Sequence, residues 1–205
     1  EESTVKIQLI LMASGFGRRF GGNKLSAVAA GRPLYSYGLT SLCQGAQAFL
    51  PLSGIDCSVA VVTAHDDIAE ACRRKHIDVL WNPQALEGMA ASIRIGVGTY
   101  PDRDVWGFFP ADQPLLTGQT ISLFLRQFIA SGTAVGCMHN GKRRCSPALF
   151  RASCKDELLA LSGDVGGRRL IQSNHAWVCH PVDEVELFDV DTRDDMAAVT
   201  TRLSI

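Results

Sequence analysis

The chain has 205 residues, a formal net charge of -1 and a 46% share of hydrophobic residues, which is enough for one α/β domain with a sizeable core. Without an excess of positive charge, nothing in it suggests a nucleic-acid surface. Apolar runs such as Ile7–Ala13 are far shorter than the roughly 20 residues a bilayer span needs, and Glu1-Glu2-Ser3-Thr4 lacks the basic start of a secretory leader. A cytoplasmic protein with no membrane or nucleic-acid partner is the expectation. The seven cysteines are an odd number and form no CxxC pair, so reduced thiols are expected rather than a zinc site or a disulfide framework.

In chain order the pattern alternates strand and helix. An apolar run predicts a first strand over Val5–Ala13, and Pro33–Ala48 reads as a helix with its proline in the first turn. Ser58–Val62 is a β-branched strand. Asp66–Arg74 is a helix with its acids early and its bases late, which suits the helix dipole. Strand Asp78–Trp81, helix Gly88–Val97, strand Val105–Phe109 and amphipathic helix Thr117–Ser131 follow. Then the alternation loosens. Thr133–His139 and Arg144–Phe150 flank Asn140-Gly141, a hairpin signal. Short helices are expected near Lys155–Ser162 and Gly166–Gln172, strands near Trp177–His180 and Val185–Phe188, and a last helix from Thr192. Repeated βαβ units predict a three-layer α/β/α, Rossmann-like domain over residues 1–205, with a mostly parallel sheet and an antiparallel hairpin insertion.

In such sheets ligands bind beyond the carboxyl ends of the strands, and the distinctive residues gather there. The first strand empties into Ser14-Gly15-Phe16-Gly17-Arg18-Arg19-Phe20-Gly21-Gly22-Asn23-Lys24, which holds four glycines, two arginines and a lysine. Glycines let backbone N–H groups approach an anion, and the cations add charge-assisted contacts. The dinucleotide pattern GxGxxG fails because its third glycine falls on Phe20, and the P-loop fails because Asn23 stands where its lysine belongs. The loop reads as a different cradle for a polyphosphate.

Two carboxylates follow later strands. Asp112 lies just past Val105–Phe109, where a magnesium ligand or a turn aspartate would both fit. Asp191 precedes Thr192, where a metal ligand and a helix-capping segment are both open. No Ser-His-Asp set or HExxH motif is apparent. Transfer to a phosphate acceptor needs none, because a phosphate monoester is already largely a dianion at neutral pH.

Taken together these segments resemble the molybdenum cofactor cytidylyltransferases, among the small nucleotidyltransferases, over nearly the whole length. Ala13, Gly15, Arg19, Gly21, Lys24 and Leu25 match that family's opening LAAGxSxRMGxxKL. Asn82, Gly88, Met89 and Ser92–Gly96 resemble its N…GMxxSxxxG segment. Ala111-Asp112-Gln113-Pro114-Leu115-Leu116 is similar to its DQPLL, Leu161–Arg168 to its LxGDxGAR, and Asp189-Val190-Asp191-Thr192 to its DxDT.

The resemblance implies a nucleotide-diphospho-sugar transferase type of fold. It implies an enzyme that joins CMP from CTP to the terminal phosphate of molybdopterin and releases pyrophosphate. The nucleotide would be held by Ala13, Ser14, Gly15, Gly17, Arg19, Lys24, Gly88 and Ser92, with Arg19, Lys24 and Asp112 catalytic. Asp112 and Asp191 would hold Mg2+. Arg144, Ser146, Gly163, Asp164, Gly166 and Arg168 would line the acceptor side, and the charge of Lys142, Arg143 and Arg144 suits the acceptor's phosphate.

The chain departs from the pattern in places. Ser14, Gly17 and Phe20 replace alanine, serine and methionine, and Cys145-Ser146-Pro147 stands where the family has GHP or GNP. The related guanylyltransferases carry LAGG, so Ser14 leans toward CTP. The alternatives are GTP, another phosphorylated acceptor, or a non-catalytic carrier that passes the finished cofactor to a molybdenum hydroxylase. A monomer is expected.

Overall fold

The structure is a computed structural model that describes residues 4–49, 54–139, 141, 144–173 and 176–204, with the backbone alone at 144, 145, 165 and 173. Its main sheet has seven strands: β1 (Val5–Ala13), β4 (Ile55–Thr63), β5 (Asp78–Trp81), β6 (Val105–Pro110), β7 (Val135–His139), β8 (Arg144–Arg151) and β9 (Trp177–Cys179). They lie in the order β5-β4-β1-β6-β8-β7-β9. A separate two-stranded ribbon joins β2 (Val28–Ala29) to β3 (Arg32–Pro33).

Seven helices cover the sheet: α1 (Leu34–Phe49), α2 (Asp66–Arg74), α3 (Met89–Thr99), α4 (Gly118–Ser131), α5 (Lys155–Leu159), α6 (Arg168–Ser173) and α7 (Arg193–Leu203). The side chains of β1 alternate between two cores, as strand geometry requires. Ile7, Leu9 and Leu11 join residues of α1, α2, α4 and α7, among them Leu42, Cys72, Phe124 and Val199. Ile10 joins Ile93 and Val97 of α3, Trp106 and Phe108 of β6, and Leu158, Leu170 and Ile171 of α5 and α6. Burial on both faces explains why β1 is apolar without alternation from Leu9 to Ala13.

The three-layer, mostly parallel architecture matches the expectation. The hairpin differs in one respect. β7 pairs parallel with β9, and β8 is antiparallel to both β6 and β7, so among the described strands of this sheet β8 alone is reversed.

Three local expectations are corrected. Pro33 belongs to β3, paired with Val28, and the helix starts at Leu34. Lys155–Ser162 is helical only to Leu159, and a short 3-10 turn, Gly163–Val165, precedes α6. Val185–Phe188 is no strand: Glu184–Leu187 forms a 3-10 turn. Its buried Glu186 carboxylate accepts from the Thr117 backbone N–H and hydroxyl at 2.8 Å each and from Thr120 Oγ1 at 2.9 Å. That carboxylate satisfies the N-terminus of α4, a tertiary demand that β-branched composition does not reveal.

The chain runs from β1 to β4 and β5 on one side, then crosses to β6 on the other side of β1. The loops leaving β1 and β6 therefore diverge and open a crevice at their carboxyl ends. None of the six cysteines whose side chains are described, all but Cys145, is joined in a disulfide. Among the described residues no helix is long and apolar enough to cross a membrane.

Candidate active site

The glycine loop folds on itself before it meets any other segment. Phe20 N–H and Gly21 N–H both donate to the Gly17 carbonyl, at 2.9 and 3.0 Å. Gly17 has φ +59°, and a Cβ there would lie 2.4 Å from the Gly22 carbonyl oxygen. The Phe20 side chain is buried, and the Arg193 guanidinium stands 4.9 Å from its ring centre. Phe20, in the family's methionine position, thus anchors the loop to α7.

Lys24 ends the loop inside the protein. Its Nζ donates to Asp112 Oδ2 at 2.7 Å, to the Val190 carbonyl at 2.8 Å and to Asp191 Oδ1 at 3.2 Å. Arg19 Nη1 meets the other oxygen of Asp191 at 3.1 Å, from an exposed side chain. Burial pushes the Lys24 ammonium toward losing its proton, but Asp112 and Asp191 outweigh burial and hold its pKa above the usual 10.5.

The carboxylates are fixed by backbone contacts. Val190 N–H donates to the Asp112 carbonyl at 2.9 Å, tying the turn after β6 to the segment before α7. Asp191 N–H donates to Asp195 Oδ2 at 3.0 Å, beside the capping box that Thr192 and Asp195 form on α7. The hydrogen bond from Thr192, with those from the backbone, holds the Asp195 carboxyl below its usual range. Asp191 is accordingly placed at the crevice beside a capped helix.

These residues border a cavity of about 390 Å³. Its lining holds the charged residues Arg18, Arg19, Lys24, Asp112, Asp164 and Asp191, the apolar Phe16, Leu86 and Met89, and Ser14 and Ser92. Asn82 Nδ2 donates to Ser92 Oγ at 3.1 Å, and Ser92 Oγ donates to Ser14 Oγ at 3.5 Å. Gly88, φ +96°, opens α3 at the cavity wall, and a Cβ there would lie 2.1 Å from Asp164 Oδ1. That contact brings the turn before α6 against the start of α3.

Of the residues assigned from sequence, Ser14, Gly15, Gly17, Arg19, Lys24, Gly88, Ser92, Asp112, Asp164 and Asp191 line this one cavity. Ala13 does not. Its side chain is buried in the core, and its carbonyl accepts from Thr63 Oγ1 at 2.8 Å. Gly163, Gly166 and Arg168 also stand outside the lining: Gly166 packs on Met89, and Arg168 is exposed on α6. The Ser146 carbonyl accepts from Gln113 Nε2 at 3.2 Å behind the site. Lys142, Arg143 and the Arg144 side chain lie outside the described residues.

Among the described residues no group of three or more His, Cys, Asp or Glu is arranged to hold a metal ion. Asp112 and Asp191, however, converge on one point, now bridged by the Lys24 ammonium. Two hard carboxylates there suit a magnesium ion that takes its remaining ligands from phosphate oxygens and water.

Sequence reading missed three supporting residues. Gln113 was visible only as part of a motif, and its buried amide donates to Asp189 Oδ1 at 3.0 Å. Asn82 orients Ser92. His65, which no local signal marks, donates from Nε2 to the Gly15 carbonyl at 2.9 Å.

Burial first, then the nearby Asp112 charge and, more weakly, Asp191, raise the Asp189 carboxyl above its usual 3.8, against the Gln113 hydrogen bond. A raised folded-state pKa favours folding below 3.8, and that advantage is lost as the pH climbs through the raised value. Asp189→Asn keeps an acceptor for Gln113 and removes the charge. It is expected to raise Tm at pH 7 and to steepen the acidic limb of a Tm-against-pH series, because a group that favours the fold at low pH is gone. A lower Tm at pH 7 would show that the ionised carboxylate is needed.

A search of the curated proteins finds no match. Among solved structures, Rv0371c from Mycobacterium tuberculosis H37Rv superposes with TM-score 0.75 at 20% identity, over 97% of this chain and 100% of that one. A nucleotidyl transferase from Methanothermobacter thermautotrophicus gives 0.76 at 17% identity, over 96% of each chain. Molybdopterin-guanine dinucleotide biosynthesis protein A from Archaeoglobus fulgidus gives 0.64 at 16% identity, over 96% of this chain and 98% of that one. At these identities the likeness is one of fold. The family profile of the MobA-like NTP transferase domain matches residues 9–178, from β1 into β9, which takes in the cavity-lining residues other than Asp191, and the chain belongs to that family.

Proposed function

We propose that the protein is a magnesium-dependent nucleotidyltransferase that moves CMP from CTP to the terminal phosphate of molybdopterin. The observation that carries this reading is the convergence of Lys24, Arg19, Asp112 and Asp191 on one cavity whose lining also includes Phe16, Leu86 and Met89. Phosphates belong beside the converging charges and the nucleoside against the apolar lining. A magnesium ion, when bound, supplies charge neutralisation at the phosphates.

The chain's own residues would then act as follows. Lys24 and Arg19 hold the β- and γ-phosphates and take up the charge that builds on the leaving pyrophosphate. Asp112 and Asp191 hold the metal. An acceptor phosphate oxygen attacks the α-phosphorus, a new P–O bond forms, and the bond to the β-phosphate oxygen breaks. The attacking group is already a dianion, so no base has to remove a proton, and positioning carries the rate. Asp164, on the lining, faces the acceptor side.

CTP is favoured because the Ser14 side chain occupies space that a glycine would leave to a larger base. Family membership, and a relative whose name concerns molybdopterin-guanine dinucleotide synthesis, support molybdopterin as acceptor. The M. tuberculosis protein has also been solved in complex with manganese, in line with a divalent ion here. A molybdenum hydroxylase would receive the product.

The test is a thermal-shift titration with CTP, GTP and ATP, each with and without Mg2+. At about 100 times its Kd a ligand stabilises by roughly 2.7 kcal/mol. A CTP-selective, magnesium-dependent rise is expected. A GTP-selective rise would overturn the base, and no rise with any nucleotide would overturn the transferase reading in favour of a carrier.

A further inference from the structure

The first turn of α2 lies beside the glycine loop, outside the cavity. His65 stands at its N-cap position, yet its side chain makes no capping hydrogen bond. That position usually holds Ser, Thr, Asp or Asn for that purpose. The imidazole is spent instead on the loop, with Nε2 2.9 Å from the Gly15 carbonyl oxygen. A carbonyl only accepts, so Nε2 carries the hydrogen. The same ring stands edge-on to Phe16, at 5.4 Å between centres and 70° between planes. Two residues on, Asp67 accepts from Ser26 Oγ, which in turn accepts from Asn23 Nδ2 at 2.9 Å. One turn of helix thus grips both ends of the loop.

Gly15 and Phe16 line the cavity and His65 does not. The Gly15 carbonyl is therefore turned to the back of the loop. The Gly15–Phe16 peptide is trans, so its N–H points opposite to its carbonyl, away from His65. Among the described residues no hydrogen-bond partner is recorded for the Phe16 N–H. We propose that His65 is a positioning residue that turns the Phe16 N–H toward a bound phosphate by holding the Gly15 carbonyl behind the loop. This rests on the nucleotide reading above. If His65 is lost, that peptide is free to flip and present a carbonyl oxygen to the anion.

The contact acts on the β- and γ-phosphates, to which Arg19 and Lys24 of the same loop are assigned, and these are absent from a monophosphate, which gives it a distinct signature. Binding of CTP and CMP, with GTP and GTP's monophosphate in parallel, is measured by calorimetry in Mg2+ for wild type, His65→Ala and His65→Gln, together with Tm without ligand. His65→Ala is expected to weaken triphosphate binding about tenfold while leaving monophosphate binding within about twofold. His65→Gln, whose amide still donates, is expected to recover most of the loss. Equal loss for both nucleotides with a lower Tm, or failure of His65→Gln to rescue, would make His65 merely structural and overturn the inference, as would unchanged binding in His65→Ala. A wild-type protein that binds no triphosphate would remove the nucleotide reading first, and this inference with it.

Discussion

Lys24→Met is expected to cut turnover by about two to three orders of magnitude and, separately, to lower the stability of the resting protein. The ammonium touches three oxygens from two distant segments, Asp112 Oδ2, Val190 O and Asp191 Oδ1. Methionine keeps much of the stem's bulk and supplies no charge. Loss of one preorganised cation from a phosphoryl-transfer site costs about 10²–10³-fold in rate.

The stability effect follows from what is left behind. Asp112 and Asp191 would face each other without the cation between them. Breaking a buried pair costs ~3–5 kcal/mol. Because the two carboxylate side chains are 24% and 34% exposed, solvent screening brings the expectation to about 2 kcal/mol. Added Mn2+ should restore more Tm in Lys24→Met than in wild type, since a divalent ion takes the ammonium's place between the carboxylates. Equal manganese shifts in the two proteins would contradict the assignment of Asp112 and Asp191 as a metal pair. In wild type the pH dependence has the opposite sense to that of a depressed carboxylate. Lys24 is raised, so its contribution is full below 10.5 and is lost as pH rises through the raised value.

Gly17→Ser, which restores the residue common in the resembled family, is expected to damage the site rather than improve it. Gly17 has φ +59°, where an L-residue pays about 1–2 kcal/mol. Its added Cβ would also stand 2.4 Å from the Gly22 carbonyl oxygen and 3.2 Å from the Lys24 backbone nitrogen, both main-chain atoms with little freedom to yield. The loop must open, and Lys24 moves with it. CTP binding should weaken by about 100-fold, with a Tm loss of roughly 4–8 °C. Calorimetry and thermal melts on the purified variant check both, and wild-type affinity in Gly17→Ser would show that the loop adopts another conformation when it works.

Much of the architecture was legible because its signals are local. Continuous apolar runs at Leu9–Ala13, within β1, and at Val105–Pro110 are what strands buried on both faces must look like. Charge order in Asp66–Arg74 marks that helix to the residue. The place of Asp112 followed from the rule that sites form at strand ends, whereas the strand expected before Asp191 does not form, and Asp191 reaches the crevice through the bond from Val190 N–H to the Asp112 carbonyl. Where the reading failed, the deciding contact was remote in sequence. Glu184–Leu187 is a 3-10 turn because Glu186 caps α4, which begins at Gly118. The small ribbon Val28–Pro33 was hidden because two-residue strands carry no periodicity.

By itself, then, the sequence determined the order of elements, the two-sided core and the chemical types gathered at the crevice, since spacing and burial pattern express those directly. Only the tertiary structure decided that Lys24 bridges Asp112 and Asp191, that Ala13 faces the core, and that His65 grips Gly15 from behind. Those contacts join residues 50 to 167 positions apart. No local rule of propensity reaches that far. It is the parallel sheet, with β6 beside β1, that folds the distance away.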